Sequence, residues 1–258
     1  MIVELTQSVT ADVVEGEYLR LQPRLWLRDR TLLLGPYHSA QEQEQHFLEE
    51  VGYVDWLRFG SDALCFDRKD LLLNSASFRM PETNATLTSS LTRWLDEVAV
   101  NGLLRLTEPR GFIFELADVR WMDVDADVLF FLDETVVLME AGHRLRLRIA
   151  QDMDLLFIQQ RLCGVALIHP ANYLVDSWAD SVGHISDGQL KILLHEYLNL
   201  VAEPFIQRME DKDTDILGAL VDLHIQLEVG IESMEQQRVI RVAVEDLAER
   251  FYGKKLAL

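Results

Sequence analysis

The sequence predicts an α+β fold: a mostly antiparallel β region with two inserted helices, followed by a helical C-terminal region. Apolar residues alternate with polar ones through most of the first 170 or so residues, and they recur at every third or fourth position after Asp180. Because strands and helices occupy separate parts of the chain, α+β is favoured over an alternating α/β arrangement. The predicted division is a β-rich α+β domain over residues 1–178 and a helical domain or subdomain over residues 179–258.

Short alternating runs mark the predicted strands. Residues 19–35 form two such runs on either side of Arg28-Asp29-Arg30, a pattern that indicates a hairpin, and residues 63–78 repeat it. From Gly102 the sequence predicts a meander of short strands, which continues through residues 153–170 and ends at a proline. The N-terminal region is therefore expected to form an antiparallel sheet.

Two helices are predicted within this sheet region. Ser39 and Glu42 match the capping-box pattern, in which both side chains bind the first free amides of a helix, here one that extends to about Val51. The second helix follows from apolar residues at helical spacing, with Asn101-Gly102 as its expected end. These apolar residues are Leu87, Leu91, Trp94, Leu95 and Val98.

Three amphipathic helices are predicted after Asp180. Ser186 and Gln189 form a capping-box pattern before the first, which Pro204 is expected to end or kink. The second starts at Thr214, and the third ends near Gly253. Each helix is expected to bury one stripe. The stripes are Leu190, Leu193, Leu194, Tyr197, Leu198 and Val201; then Leu217, Leu220, Val221, His224 and Leu227; then Ile240, Val244, Leu247 and Phe251.

The composition is typical of a folded protein with an adequate core, since 49% of the 258 residues are hydrophobic and 26% are charged. Cys65 and Cys163 are far apart and form no CxxC pair, so neither a disulfide framework nor a cysteine zinc site is expected. The sequence contains no apolar run of about 18 residues and no signal peptide pattern. We therefore expect a soluble, cytoplasmic protein without a membrane partner.

The formal charge of −19 is the most unusual property of the chain. Residues 181–258 hold 14 acids and 8 bases, and residues 1–180 hold 29 and 16, so the excess is spread along the chain. Such a charge repels nucleic acid and attracts a basic protein, although acidity also maintains solubility without any partner. Nucleic acid binding is therefore not predicted, and a basic protein is the expected partner.

The segment WMDVDADVLFFLDE has the acid spacing of a calcium-binding loop. Asp123, Asp125, Asp127 and Glu134 occupy positions 1, 3, 5 and 12 of an EF-hand, counted from Asp123. Position 6, where the loop needs glycine, is Val128, and the flanking segments resemble strands rather than helices. No metal is therefore predicted at this segment.

A strand is a second interpretation of the same segment. With a period of two, Trp121 and the three aspartates share one face, and the residues between them share an apolar face. Arginines alternate in the same way further along the chain, so aspartate–arginine pairs between neighbouring strands are one hypothesis. These arginines are Arg144, Arg146 and Arg148.

An acidic docking surface is the third interpretation, and a second acid-rich segment would contribute to it. Residues 117–140 hold seven acids and one base, and residues 210–235 hold eight acids and one base. The candidate partner-binding residues are Asp123, Asp125, Asp127, Asp211, Asp213, Asp215 and Asp222.

Motifs for metal binding or catalysis are incomplete. His38, Glu42 and His46 are spaced four apart, but a helix that starts at Ser39 leaves His38 in the preceding turn. The sequence HEYLN (195–199) has Asn199 where a zinc peptidase needs its second histidine. The sequence contains no GxSxG, Walker A or GxGxxG motif. No catalytic residue, metal or cofactor is therefore predicted.

Three further residues, His169, Asn172 and Tyr173, form the most site-like polar cluster of the sheet region and equally match a turn at the end of a strand. Without a catalytic motif, the sequence favours a non-catalytic acidic protein that binds a basic protein. In composition and size the chain resembles bacterial immunity proteins, and the resemblance implies a cytosolic inhibitor that neutralises a basic effector such as a nuclease toxin.

Two alternatives stay open. One is a hydrolase-like enzyme whose site is assembled from scattered residues. The other is a structural homo-oligomer that associates through the amphipathic C-terminal helices.

Overall fold

The computed structural model describes residues 1–52, 62–137, 139, 141–178, 188–229 and 234–256, which form the predicted α+β fold. The strands are β1 (Ile2–Thr6), β2 (Val9–Glu15), β3 (Arg24–Trp26), β4 (Thr31–Leu34), β5 (Ala63–Phe66), β6 (Leu73–Arg79), β7 (Thr83–Asn84), β8 (Ala99–Leu106), β9 (Val119–Asp123), β10 (Val128–Leu132), β11 (Arg144–Ala150), β12 (Met153–Ile158), β13 (Arg161–Ile168) and β14 (Leu174–Val175). The helices are α1 (Ala40–Glu49), α2 (Ser89–Asp96), α3 (Glu134–Val137), α4 (Gly188–Leu200), α5 (Phe205–Glu210), α6 (Thr214–Val229) and α7 (Met234–Tyr252), and a 3₁₀ helix spans Pro170–Tyr173.

The larger sheet has nine strands in the order β1-β2-β8-β11-β12-β13-β10-β9-β7. Most neighbours are antiparallel, but β8 pairs with β11 in parallel, and β7 pairs with β9 in parallel. The sheet curves back on itself, because Glu4 of β1 pairs with Arg161 of β13, next to the stretch of β13 that pairs with β10. The smaller sheet has the order β14-β3-β4-β6-β5 and is antiparallel except for β14 with β3.

The main core joins one face of the larger sheet to the smaller sheet and the C-terminal helices. Phe157 of β12, Leu194 of α4 and Leu220 of α6 are all buried in it. A second, smaller core lies on the opposite face of the larger sheet, where Trp94 of α2 packs with Leu156 of β12. Strands β10 and β12 are therefore buried on both faces, which explains the apolar sequence VLFFL of β10 and why MDLLFI of β12 is apolar except for Asp154.

The predicted hairpins and the first helix are confirmed. Strands β3 and β4 pair across a turn that contains Arg28-Asp29-Arg30, and β5 and β6 pair within residues 63–78. The Ser39 hydroxyl accepts a hydrogen bond from the amide of Glu42 at 3.1 Å, so α1 begins where the capping pattern places it.

The predicted C-terminal helices are also confirmed, as α4, α6 and α7. Pro204 separates α4 from the short helix α5, and Gly253 follows α7 with a φ of 63°. Ser186 of the capping pattern before α4 lies outside the described residues. His224 is 4% exposed on the buried stripe of α6, as the period predicts.

The predicted end of the second helix is wrong. Helix α2 ends at Asp96, whereas Asn101 and Gly102 lie in β8, where Gly102 pairs with Glu15 of β2. The helical spacing extends to Val98 in the sequence, but that side chain is 83% exposed and belongs to neither core. Glycine is needed at position 102 because a Cβ there would lie 2.7 Å from the carbonyl oxygen of Val14.

The predicted meander from Gly102 holds only in part. Strands β9 and β10 form a hairpin, and β11, β12 and β13 follow one another as predicted, but β11 returns to pair with β8 and β10 pairs with β13. Local alternation identifies strands but does not specify such long-range partners.

The predicted division between residues 178 and 179 stays a prediction. Residues 179–187, which follow the predicted boundary, fall outside the described part of the chain. The main core includes residues that precede and residues that follow this segment, such as Leu174 of β14 and Leu190 of α4. The C-terminal helices therefore pack directly on the β region.

Candidate functional site

The aspartate segment forms a hairpin turn rather than one strand face. Strand β9 ends at Asp123, β10 begins at Val128, and these two residues pair with each other. Asp123 Oδ1 accepts a hydrogen bond from the amide of Ala126 at 2.8 Å, a role typical of aspartate at the start of a turn. Asp127 has a φ of 54°, which aspartate tolerates better than most residues. The interpretation as one continuous strand is therefore wrong, because this turn reverses the chain between Asp123 and Val128.

Asp127 binds His169, a member of the polar cluster with Asn172 and Tyr173. His169 Nδ1 lies 2.8 Å from Asp127 Oδ2, and the amide of His169 donates to the carbonyl oxygen of Asp127 at 2.8 Å. His169 has a φ of 53° immediately before the 3₁₀ helix. The carboxylate of Asp127 therefore has an internal partner.

A fourth aspartate, Asp152, lies at the same end of the sheet. Its carbonyl oxygen accepts a hydrogen bond at 2.8 Å from the amide of Ile168, the residue before His169. Its carboxylate accepts a hydrogen bond from the Tyr173 hydroxyl at 2.7 Å. Burial of Tyr173, and to a smaller extent this hydrogen bond, raises the pKa of Tyr173. We define the acidic end as Asp123, Asp125, Asp127 and Asp152, of which Asp125 is exposed and the others are half-buried.

The three arginines of β11 do not face these aspartates. Three strands, β12, β13 and β10, separate β11 from β9. Arg148 Nε donates to Oδ1 of Asp154 on β12 at 2.8 Å, and Arg146 Nη2 donates to Oδ2 of the same residue at 2.8 Å. The predicted pairs between these arginines and the aspartates of the hairpin turn are therefore wrong. Arg146 and Arg148 share the buried carboxylate of Asp154 instead.

Two of these arginines, Arg144 and Arg146, also attach α2 to the sheet. Asp154 is fully buried, and Arg146 also donates to the carbonyl oxygen of Trp94 at 2.9 Å. Arg144 donates to Ser90 Oγ at 3.2 Å, and its guanidinium carbon lies 5.4 Å from the centre of the Trp94 ring. Arg144 and Arg146 therefore hold α2 against the larger sheet.

The second acid-rich segment lies at the junction of α5 and α6. Asp213 accepts hydrogen bonds from the amide of Asp215 at 2.9 Å and from Arg208 Nε at 2.7 Å, and these interactions lower the pKa of Asp213. Asp211, Asp215 and Asp222 are exposed. Within the described part of the chain, their carboxylates form no hydrogen bond or ion pair.

Basic and acidic side chains are distributed differently between the interior and the surface. Among the described residues, only two acids are buried, Asp62 and Asp154. The buried basic residues are four arginines: Arg24, Arg120, Arg144 and Arg146. The described surface is therefore richer in acids, relative to bases, than the composition alone implies.

The histidines with metal-like spacing make separate local contacts. The amide of His38 donates to Glu42 Oε2 at 2.7 Å, and His46 Nε2 lies 2.9 Å from Ser75 Oγ. Burial lowers the pKa of His46. Within the described ranges, no group of three or more His, Cys, Asp or Glu side chains is arranged to hold a metal ion.

Buried residues with potential reactivity have structural partners. His224 Nε2 lies 2.9 Å from Glu245 Oε1, so this histidine on the buried stripe of α6 has a polar partner. The Cys163 thiol donates to the carbonyl oxygen of Leu156 at 3.2 Å, and burial raises the pKa of this thiol. A buried thiol with a raised pKa is a poor nucleophile.

A cavity of about 210 Å³ lies between α4 and the edge of the larger sheet, and three residues of the HEYLN segment line it: His195, Leu198 and Asn199. His195 and Asn199 face Asn84 of β7 and Arg120 of β9. They are half-buried because β7 and β9 pack beside this turn of α4.

Four of these side chains form a chain of hydrogen bonds. Arg120 Nε donates to Asn84 Oδ1 at 3.0 Å, Asn84 Nδ2 donates to Asn199 Oδ1 at 2.9 Å, and Asn199 Nδ2 lies 3.3 Å from His195 Nε2. Because a guanidinium has no acceptor, its donation fixes the orientation of Asn84 and, through it, of Asn199. His195 Nε2 is then the acceptor, so the proton is on Nδ1. Burial lowers the pKa of His195, in agreement with a neutral ring.

Arg120 is buried and binds neutral oxygens. Besides Asn84, it donates to the carbonyl oxygen of Pro81 at 2.9 Å and to that of Leu198. Leu198 lies in the last turn of α4, where the carbonyls carry a partial negative charge. Burial lowers the pKa of Arg120 to about 10.

A larger cleft of about 580 Å³ lies between the β3–β4 turn and α7. An ion pair between Arg28 Nε and Asp246 Oδ2 lies within it, and Tyr197 forms part of its lining. Burial raises the pKa of Tyr197 to about 12, so this hydroxyl stays protonated at neutral pH. The described residues of the lining carry charges of both signs and include no serine, cysteine or histidine.

Some residues of these sites could not be identified from the sequence. A lone charge in the apolar strand MDLLFI was a usable signal for the buried Asp154, and the polar pair Gln151-Asp152 was a usable signal for a turn. Nothing in the sequence near Arg120 distinguishes it from a surface residue, and nothing near Asn84 connects that residue with α4.

Comparison with known proteins identifies no relative, since no protein-family model, curated protein or solved structure matches the chain. In the described ranges, the helices are too short or too polar to cross a membrane.

Proposed function

We propose that the protein binds a positively charged protein through its exposed acidic side chains. The observation that carries the proposal is the distribution of charge: arginines are used inside the fold, while nearly all the described acids stay at the surface. A partner with clustered lysines and arginines would be attracted over several ångströms and would form ion pairs on contact.

Four of the candidate aspartates are best suited to direct contact: Asp125 of the acidic end, with Asp211, Asp215 and Asp222. Their carboxylates have no internal partner in the described part of the chain, so no existing bond must break when a cation binds. Asp123, Asp127 and Asp213 have internal partners and would act mainly through their charge.

Inhibition of a basic effector, such as a nuclease toxin, is a more specific form of this proposal. A nuclease binds phosphates through a basic surface, which an acidic protein can cover. The sign and amount of charge support this form, together with the resemblance in composition and size, and the partner's identity is an outcome of the experiment.

The test compares two variants with equal net charge. The first changes Asp125, Asp211, Asp215 and Asp222 to asparagine. The second changes four exposed glutamates elsewhere to glutamine: Glu15, Glu17, Glu44 and Glu108. Each protein is cross-linked in extract of its native cell, and partners are quantified by mass spectrometry.

We expect a stoichiometric basic partner with the native chain and with the glutamate variant, and a loss of at least tenfold with the aspartate variant. The proposal fails if the native chain captures no basic protein. Equal losses with both variants would show that net charge, and not the four aspartates, governs the association.

A further inference from the structure

The cavity beside α4 differs in character from the rest of this acidic molecule. The chain has a formal charge of −19, yet the described residues that line the cavity include Arg120 and His195 and no acid. This contrast is independent of the acidic surface and of the function proposed for it.

The polar side chains of the cavity present N–H groups. The hydrogen-bond chain from Arg120 to His195 uses one N–H of Asn84 and one of Asn199. The second N–H of each amide and the Nδ1–H of His195 have no partner among the described residues. These donors match a ligand that carries hydrogen-bond acceptors.

The charge of Arg120 favours an anionic ligand over a neutral one. Arg120 is 1% exposed, and the oxygens of Asn84, Pro81 and Leu198 that accept its hydrogen bonds are all neutral. A buried charge with only neutral partners is costly, and a carboxylate in the adjoining cavity would lower that cost.

The remaining lining indicates the body of the ligand. Met122 and Leu129, on the same face of the sheet as Arg120, contribute apolar surface to the cavity, whose volume of about 210 Å³ admits a small molecule. We propose that this cavity binds a small organic carboxylate, with its anionic end at the N–H groups and its apolar body against Met122 and Leu129. Inorganic phosphate has no such apolar body and is expected to bind poorly.

Benzoate, benzamide and inorganic phosphate are the probes for this proposal. Each is titrated into the full chain while the imidazole C–H signals of His195, assigned with a His195→Gln variant, are followed by NMR. We expect saturable binding of benzoate in the millimolar range, binding of benzamide at least tenfold weaker, and no saturation with phosphate. Equal affinity for benzoate and benzamide, saturation by phosphate, or no saturation by benzoate would each overturn the proposal.

The Asn84→Asp variant tests the site without removing a large side chain. Its carboxylate would pair with Arg120 and occupy the place of the ligand's charge, so benzoate affinity should fall at least tenfold while the melting temperature does not decrease. Asn101→Asp adds the same charge in β8, which four other strands of the larger sheet separate from β9. It should leave benzoate affinity unchanged. Unchanged affinity in Asn84→Asp, or an equal loss in both variants, would contradict the proposal.

Discussion

Several buried arginines of this protein donate hydrogen bonds to backbone carbonyl oxygens, in addition to carrying a positive charge. Arg24 binds the carbonyl oxygens of Gly35 and Tyr37, Arg120 binds that of Leu198, and Arg146 binds that of Trp94. A guanidinium carries five N–H groups in a rigid plane, so it can satisfy several carbonyls that no backbone amide reaches. Arginine burial is therefore a consequence of how loops and helix ends are held in this fold.

Asp154 is the residue whose loss should cost most stability. In Asp154→Asn, Arg146 and Arg148 lose the carboxylate that neutralises them, and Asp154 is fully buried. We expect the free energy of unfolding in urea to fall by about 3–5 kcal/mol. Asp246→Asn, which removes an exposed partner of Arg28, should cost about 0–1 kcal/mol. Equal losses in the two variants would show that the Asp154 network does not stabilise the fold.

His195 should report the direction of the hydrogen-bond chain. Burial lowers its pKa below the ordinary value of 6.5, while Glu196 opposes that shift more weakly. Because the folded state favours the neutral ring, its contribution to stability is present above about pH 6.5 and is lost as the pH falls below that value. We expect NMR of the imidazole nitrogens to show the Nδ1–H tautomer.

The same measurement on Asn84→Asp should give the opposite result. The new carboxylate accepts from Asn199 Nδ2, which turns Asn199 Oδ1 toward His195 and requires a proton on Nε2. The pKa of His195 should rise in this variant. An Nε2–H tautomer already present in the native chain would contradict the proposed orientation.

Among the secondary-structure elements, those with local signals were predictable from the sequence. The cap at Ser39, the hairpins and the C-terminal helices follow from turn residues and from apolar spacing within one segment. The aspartate turn was not predictable in this way, because residues 123–128 alternate as a strand would, whereas residues 124–127 form a turn that includes the left-handed conformation of Asp127. Partners of β11 also depend on distant residues, so its arginines could not be matched with Asp154.

The cap of α1 can be tested by itself. Ser39→Ala removes the acceptor for the amide of Glu42, and we expect the free energy of unfolding to fall by about 1 kcal/mol. Ser89→Ala changes an exposed serine in the first turn of α2 and should have an effect within about 0.5 kcal/mol. A smaller effect of Ser39→Ala than of Ser89→Ala would argue against the cap.

The whole molecule combines a continuous main core with a strongly acidic surface. The total charge was evident in the sequence, but its separation into buried arginines and exposed acids required the fold. The cavity beside α4 also arises at this scale, since β7, β9 and α4 supply its polar residues from distant parts of the chain. The segment HEYLN is visible in the sequence, but the strands that pack beside it are distant in the chain and could not be predicted from it.

Salt dependence of partner binding tests the central claim most directly. The dissociation constant for the captured basic partner is measured by calorimetry from about 0.05 to 0.5 M NaCl, a range over which screening between exposed charges becomes strong. Binding through the acidic surface predicts an affinity that falls at least tenfold over this range, with a shallower dependence in the variant that lacks Asp125, Asp211, Asp215 and Asp222. An affinity that does not change with salt would contradict the account.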